Sequence, residues 1–239
     1  MTAALAPEVL RRVLDLLEEA QRQGLTGPGP VGPQVSHTLA MARAVGDPPS
    51  GRALDLGTGA GVPGLVLALA WPESRWTLLD SRQRSAGFVT MAAEQMGLSP
   101  RVGVVWERAE DAGRDPDHRG GYELVTARGF GPPAITAECA APLLAVGGRL
   151  VVSEPPDRSV DRWPPDALEP LGLQPEGRTA SEGASFMLLR QVTACPDRFP
   201  RRRGVPRKRP LFPNPAVDVS RETNPVLDSQ GRPEDNRSQ

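Results

Sequence analysis

The sequence predicts an α/β protein built on a doubly wound, seven-stranded sheet that is preceded by an N-terminal helical cap. Segments with the apolar patterns of strands and of helices alternate between Arg52 and Val192. This alternation is typical of a largely parallel sheet with helices on both faces. A glycine-rich loop directly follows the first predicted strand, Ala53–Leu56. At 239 residues the chain has the length for one sizeable core with small additions at its ends.

Residues 1–50 form the predicted cap. Apolar residues recur at the spacing of one helix face from Pro7 to Gln23, and a helical pattern resumes from Gln34 to Val45. The intervening segment, Gly24–Pro33, is rich in glycine and proline, so we expect a loop there. The cap is therefore predicted to be two helices that pack on the main domain.

Residues 51–195 form the predicted main domain. Its expected strands are Ala53–Leu56, Arg75–Asp80, Arg101–Trp106, Glu123–Ala127, Arg149–Ser153 and Ser185–Val192, with a weaker one at Pro175–Thr179. Its expected helices are Val62–Trp71, Arg82–Gly97, Pro133–Ala145 and Leu168–Leu171. The last two strands would close the sheet with a hairpin.

The composition changes abruptly after Cys195. Residues 196–211 form a basic segment with seven Arg or Lys between Arg198 and Pro210, and its prolines favour an extended chain. Residues 212–239 are polar, with repeated Pro, Asn, Asp and Ser, and we expect a disordered tail there.

The overall charge is close to balanced, since the formal net charge is −1. Affinity for nucleic acid would therefore have to come from a local cluster. Cys139 and Cys195 lie far apart, without the spacing of a disulfide framework or a metal site, which predicts no metal and a reducing compartment. The longest apolar run, Leu65–Trp71, is too short to span a bilayer. We expect a soluble, cytoplasmic protein without a signal peptide or membrane association.

The glycine loop that follows the first strand is the predicted ligand site. Gly57 and Gly59 let the backbone turn sharply and approach a ligand closely, and Gly59–Gly64 matches the dinucleotide pattern GxGxxG. Asp55 lies two residues before the first glycine, where a carboxylate would repel a phosphate but suits the cationic S-adenosylmethionine. We therefore predict S-adenosylmethionine as the cofactor. The alternative for Asp55 is that it caps the following turn through its side chain.

Two further carboxylates follow later strands. Asp80 ends the second predicted strand, where it would accept hydrogen bonds from the ribose hydroxyls. Its alternative role is a helix cap before Arg82. Glu110 follows the third strand and could accept from the adenine amino group, directly or through the adjacent backbone amide; alternatively, Arg108 and Glu110 form a solvated surface pair.

Five motifs occur in order between Ala53 and Leu211. They are LDLGTGAGVPG (Leu54–Gly64), LLDS (Leu78–Ser81), RAED (Arg108–Asp111), VTARGF (Val125–Phe130) and FPRRRGVPRKRPL (Phe199–Leu211). Through them the chain resembles the bacterial small-subunit (16S) ribosomal RNA guanine-N7 methyltransferases, also called the glucose-inhibited division protein B family. The resemblance implies a Rossmann-like methyltransferase fold and S-adenosylmethionine as methyl donor.

The resemblance also implies which residues line the sites. The cofactor residues would be Gly57, Val62, Asp80, Ala109, Glu110 and Arg128, in addition to Asp55 and Gly59 from the loop. The RNA-binding residues would be Arg201, Arg202, Arg203, Arg207, Lys208 and Arg209, which would neutralise phosphates. Arg128 would orient the cofactor carboxylate or a nucleotide phosphate; its alternative is a surface arginine at a strand end. The expected partner is ribosomal RNA or the small subunit, and we expect a monomer.

The chain departs from the family pattern at three places, the first being a Trp-Asn pair of the N-terminal cap that is usual in relatives and not found here. Ser36-His37 stands where relatives usually have Arg-His, and Ser153-Glu154 stands where many carry lysine followed by glycine. A divergent paralogue that methylates a small molecule or another RNA is therefore an alternative, as is a non-catalytic binding protein. Nitrogen 7 of guanine already has a free lone pair, so this reaction needs alignment rather than a general base, and we assign no catalytic residue.

Overall fold

A computed structural model describes residues 4–155 and 162–213. Its helices are α1 (Pro7–Arg22), α2 (Gly32–Val45), α3 (Gly64–Ala70), α4 (Gln83–Gln95), α5 (Ala109–Ala112), α6 (Pro133–Ala140), α7 (Pro165–Leu168) and α8 (Val205–Lys208). Its strands are β1 (Arg52–Leu56), β2 (Arg75–Asp80), β3 (Val102–Trp106), β4 (Tyr122–Ala127), β5 (Leu144–Glu154), β6 (Leu173–Ser181) and β7 (Ala184–Gln191). Short 3₁₀ turns follow α6 and α7, at Ala141–Leu143 and Glu169–Leu171.

The strands form one seven-stranded sheet in the order β3-β2-β1-β4-β5-β7-β6. Strands β1 to β5 run parallel, and β7 is antiparallel between β5 and β6. The predicted fold class is confirmed. The strand order reverses between β1 and β4, and a crevice opens at the carboxyl ends of the strands at such a point.

Apolar residues cover both faces of the sheet. These residues form two hydrophobic clusters. The cap helices contribute Val13, Leu17 and Met41 to the first of them. The other cluster joins α6 to residues 196–212, with Leu143, Trp163 and Phe199 buried together. The cap is therefore packed on the sheet, and the helical spacing read in α1 corresponds to its buried face.

The region after β4 differs from the prediction. The helix expected at Pro133–Ala145 ends at Ala140, because Pro142 lacks the amide hydrogen that would continue the helix. Strand β5 then begins at Leu144, earlier than the predicted Arg149, and the expected turn Gly147-Gly148 lies within it. The pairing register with β4 shifts between Tyr122 and Leu124, which accommodates these glycines.

The basic segment is more compact than the predicted extended chain. Gly204 adopts a left-handed φ of 74° and precedes α8, a single helical turn. Phe212, at the start of the predicted tail, is 5% exposed and packs in the core. Most of the predicted disordered tail, residues 214–239, lies outside the described residues. Within the described ranges, no helix combines the length and apolar character needed to cross a membrane.

Candidate active site

A pocket of about 450 Å³ opens at the carboxyl edge of the sheet. The ends of β1, β2, β3 and β4 all contribute to it. It is lined by Leu56, Gly57, Leu79, Asp80, Ser81, Arg82, Glu107, Arg108, Ala109, Glu110, Gly129, Phe130, Gly131, Pro132, Ile135, Cys139 and Arg207. Four of the eight predicted cofactor residues are therefore at its wall: Gly57, Asp80, Ala109 and Glu110.

The loop after β1 needs glycine at its first position for two reasons. Gly57 has a φ of 74°, and a Cβ added there would lie 2.7 Å from the ring of Phe130. The backbone amides of Gly57 and Thr58 donate to the carbonyl of Leu79 at 2.8 and 3.0 Å. The loop is thus held against β2 while its backbone faces the pocket.

Asp80 joins the loop to the second strand. One carboxylate oxygen accepts from the amide of Gly59 at 2.9 Å, and the other accepts from the amide of Arg82 at 2.8 Å. Arg82 is the N-cap residue of α4 and no side chain caps that helix, so the helix-cap alternative for Asp80 does not hold. The side chain of Asp80 also reaches the pocket wall. The oxygen bonded to the amide of Arg82 also accepts from Nε of Arg82 at 3.3 Å, whereas the oxygen bonded to Gly59 can accept a second hydrogen bond.

Asp55 lies beneath the loop and not at the pocket wall. Its side chain is fully buried, and its carboxylate accepts from the amide of Gly64 at 2.9 Å and from the hydroxyl of Thr126 at 3.1 Å. Burial raises the pKa of this carboxyl group to about 6, although the hydrogen bonds it accepts lower it. This geometry matches the alternative in which Asp55 caps the turn. Asp55 therefore supports the loop and does not contact the cofactor pocket directly.

Glu110 connects the pocket to the basic segment. Its carboxylate accepts two hydrogen bonds from Arg108, at 3.0 and 3.1 Å, and one from the amide of Gly204 at 2.9 Å. Burial alone would raise the pKa of Glu110, but these hydrogen bonds lower it below its ordinary value. The pair between Arg108 and Glu110 considered above does form, but only its cation is solvated, since the Arg108 side chain is 48% exposed and that of Glu110 6%.

Four predicted cofactor residues do not line the pocket: Asp55, Gly59, Val62 and Arg128. Asp55 lies beneath the loop, and the amide of Gly59 is bonded to Asp80. The side chain of Val62 lines a small apolar crevice between α1, α3 and α4. Arg128 is half-buried beside the pocket, close to Asp55 and His37; burial lowers its pKa, and the charge of Asp55 opposes that effect. Arg128 therefore lies between the pocket and the N-terminal cap.

The basic segment is fastened to the domain by two of its own arginines. Arg201 forms a bidentate ion pair with Glu138, whose side chain is completely buried, with nitrogen–oxygen distances of 2.8 and 2.6 Å. Arg203 pairs with Asp111 on α5. These two predicted RNA ligands are thus engaged by the protein. Arg203 is itself exposed although it is paired. The other four are also exposed: Arg202, Arg207, Lys208 and Arg209.

Sequence reasoning left two residues of the site unassigned. Phe130 contacts Gly57 and lines the pocket, and its position between Gly129 and Gly131 was a readable signal of an exposed loop aromatic. Glu138 anchors the basic segment. A lone acid in the otherwise apolar helix α6 was a signal that a cation would cover it.

The acid at the end of β5 does not act as an isolated negative charge. Glu154 is buried between Arg162, at 3.0 Å, and Arg178, at 3.3 Å. The departure Ser153-Glu154 therefore places a neutralised carboxylate at this edge, so it does not repel a phosphate-bearing substrate.

The fold and the pocket together define the class of the protein. The sheet has the strand order of S-adenosylmethionine-dependent methyltransferases, and the pocket presents a close-approach glycine and an acid at the end of β2. A crystal structure of an S-adenosylmethionine-dependent methyltransferase from Aquifex aeolicus has the same fold, with a TM-score of 0.53 and 13% identity over 80% of this chain and 100% of that one. A family model of rRNA methyltransferases that matches more than half of the chain shows that it is an S-adenosylmethionine-dependent methyltransferase.

Sequence comparison identifies the family within that class. The profile of GidB, rRNA small subunit methyltransferase G, matches residues 13–154. Ribosomal RNA small subunit methyltransferase G of Symbiobacterium thermophilum is 36% identical over 83% of this chain and 87% of its own length. That of Pelotomaculum thermopropionicum is 36% identical over 66% of this chain and 69% of its own length. The chain belongs to the GidB family of rRNA methyltransferases, as the sequence resemblance predicted.

Proposed function

We propose that this methyltransferase acts on nitrogen 7 of a guanine in small-subunit ribosomal RNA, with the cofactor in the pocket and the RNA across the exposed basic residues beside it. One observation carries this proposal. The segment that presents the basic residues also forms a wall of the pocket, because Arg207 lines it and Gly204 donates to Glu110. RNA bound there would lie next to the cofactor.

The residues present fit S-adenosylmethionine. The backbone at Gly57 allows close approach, Asp80 retains acceptor capacity for ribose hydroxyls, and Ala109 and Glu110 lie on the side expected for the adenine ring. When bound, the cofactor supplies an electrophilic methyl group. Asp55 contributes indirectly, by holding the amide of Gly64 and thus the shape of the loop.

The remaining contribution of the protein to the reaction is to align the target base with the methyl group of the cofactor. Nitrogen 7 of guanine carries a lone pair at neutral pH, so the site needs no group to remove a proton before methyl transfer. Phe130 packs directly on Gly57 and thereby borders the end of the pocket nearest β4. Together with the half-buried Arg128, it would limit the directions from which a base can reach the cofactor.

The RNA contacts are assigned to the outward-facing residues of the basic segment. Arg202, Arg207, Lys208 and Arg209 are exposed, and each can neutralise a phosphate. Arg201 and Arg203 instead hold the segment in place through Glu138 and Asp111. Binding should therefore be strongly salt-dependent and largely independent of base identity at these positions.

The test is methyl transfer from labelled S-adenosylmethionine to small ribosomal subunits that lack this modification, with mass spectrometry of the RNA to locate the product. We expect one 7-methylguanine in subunits, and Asp80→Asn should raise the Kd for the cofactor measured by calorimetry. Label found on another RNA or on a small molecule, with subunits unlabelled, would overturn the proposal.

A further inference from the structure

His37 is held at the carboxyl edge of the sheet by contacts on two sides. Its Nε2 lies 2.9 Å from the hydroxyl oxygen of Ser153 on β5. Its ring centroid lies 5.0 Å from that of Phe186 on β7. The imidazole is nevertheless only half-buried, and it lines a groove of about 520 Å³ between the start of α2 and the β6–β7 turn. The ring is thus fixed in orientation and accessible.

This position adjoins the loop that borders the cofactor pocket. Ala127 on β4 pairs with Val152 on β5, so the next residues, Arg128 and Ser153, lie side by side at the edge of the sheet. The chain then continues from Arg128 into Gly129 and Phe130, which line the pocket. His37 therefore lies on the cap side of the same edge from which the pocket opens.

The surroundings of His37 favour its neutral form. Burial lowers the pKa of the imidazole from 6.5, and the charge of Arg128 lowers it further. The other charged group that lines the groove is Glu182 in the β6–β7 turn, which pairs with Arg43 of α2 at 2.9 Å. At neutral pH His37 thus offers one donor and one acceptor nitrogen.

We infer that His37 is a specificity-determining residue that contacts the target guanine, an inference that rests on the proposed function. The His37–Ser153 contact allows the Ser153 hydroxyl either to donate to Nε2 or to accept from it. In the inferred arrangement the hydroxyl donates, so Nδ1 carries the proton and donates to the O6 carbonyl of the base. Guanine has an acceptor at this position and adenine has a donor amino group, so a donor here selects guanine. O6 and nitrogen 7 share one edge of the base, so this contact also directs nitrogen 7 towards the methyl group.

Two matched variants separate this role from a structural one. Asn places an amide nitrogen near the position of Nδ1, whereas Gln places it near that of Nε2. We expect His37→Asn to keep kcat/KM for subunits within about threefold of wild type, and His37→Gln to lower it about tenfold or more, the cost of one lost hydrogen bond. The Kd for S-adenosylmethionine and the Tm should be the same in both variants.

The pH profile supplies an independent readout. Protonation of His37 removes the hydrogen bond that Nε2 accepts from Ser153 and with it the fixed orientation of the ring. Because burial and Arg128 lower the pKa of His37 from 6.5, kcat/KM of the wild type should fall only below that pH. His37→Asn should lack this decrease. If His37→Gln equals wild type, if both variants lose activity equally, or if their cofactor Kd rises in parallel, the inference is wrong. Wild-type protein that leaves subunits unlabelled would instead overturn the proposed function.

Discussion

The glycine loop at Gly57–Gly64 and the basic segment at Arg198–Arg209 are both motifs of this methyltransferase, yet they form in different ways. The loop is specified locally, since Gly57, Gly59 and Gly61 adopt left-handed φ values and the amides of Gly57 and Thr58 bond to the neighbouring strand. The segment is specified at long range, because its arginines bind a completely buried acid on α6, Glu138, and a partly exposed acid on α5, Asp111. The role of a loop glycine can therefore be predicted from the local sequence. Whether an arginine of the segment binds the protein or faces solvent cannot, because its partner is distant in sequence.

The sharpest test of this difference is Arg201→Met. The substitution leaves the completely buried carboxylate of Glu138 without its cation, and breaking such a pair costs about 3–5 kcal/mol. The matched control is Arg202→Met in the same segment, which should stay within about 0.5 kcal/mol because Arg202 is exposed. Urea unfolding measures both. Equal midpoints for the two variants would show that the segment is not held by this pair.

The second test concerns the buried carboxylate under the loop. The folded pKa of Asp55, about 6, lies above the unfolded value near 3.8, so its stabilisation is complete below pH 3.8 and is lost as the pH rises through 6. We therefore expect the free energy of unfolding of wild type minus that of Asp55→Asn to increase by about 2–3 kcal/mol from pH 7 to pH 4. The exposed Asp117→Asn is the control, with little change. A flat difference for Asp55→Asn would contradict its buried position.

The third test addresses the close contact within the loop. Gly57→Ala puts a methyl group 2.7 Å from the ring of Phe130, at a φ of 74°. We expect cofactor affinity to fall about 10–100-fold, or about 1.4–2.7 kcal/mol, because the ring must move into the pocket. Gly129→Ala carries a similar φ of 64° with no atom within 4 Å of the new Cβ, so it isolates the backbone cost. If calorimetry gives the same cofactor Kd for Gly57→Ala and Gly129→Ala, the clash with Phe130 does not lower affinity and this prediction is wrong.

These cases indicate what the sequence could predict. The sheet and the pocket positions of Gly57, Asp80 and Glu110 follow from apolar periodicity and loop position, which are local properties. The position of Ala109 was implied by the family resemblance, and the cofactor class by the resemblance together with the carboxylates Asp55 and Asp80. The direction in which a side chain points depends on partners that are distant in sequence. Asp55 was expected beside the cofactor, but the amide of Gly64 and the hydroxyl of Thr126 turn it inward.

Partners distant in sequence also explain why the conformation of the basic segment was not predicted. Its prolines predicted an extended chain, but the amide of Gly204 bonds to Glu110, a partner distant in sequence, and α8 follows directly. The division of its arginines into anchors and exposed residues depends on Glu138 and Asp111 in the same way. Motif matching treats the six basic residues alike, because it contains no information about these acids.

The smallest expected effect separates the exposed residues of the segment from its anchors. Lys208→Ala removes an exposed charge, so the slope of log K against log salt for subunit binding should decrease by about 0.7–0.9, with only a few-fold loss of affinity. Arg203→Ala is the matched comparison: its guanidinium is paired with Asp111, so its removal should change the slope less. Titrations of subunits at several salt concentrations measure both slopes. If Arg203→Ala reduces the slope as much as Lys208→Ala, the ion pair does not withhold Arg203 from RNA, and the distinction between anchors and contacts fails.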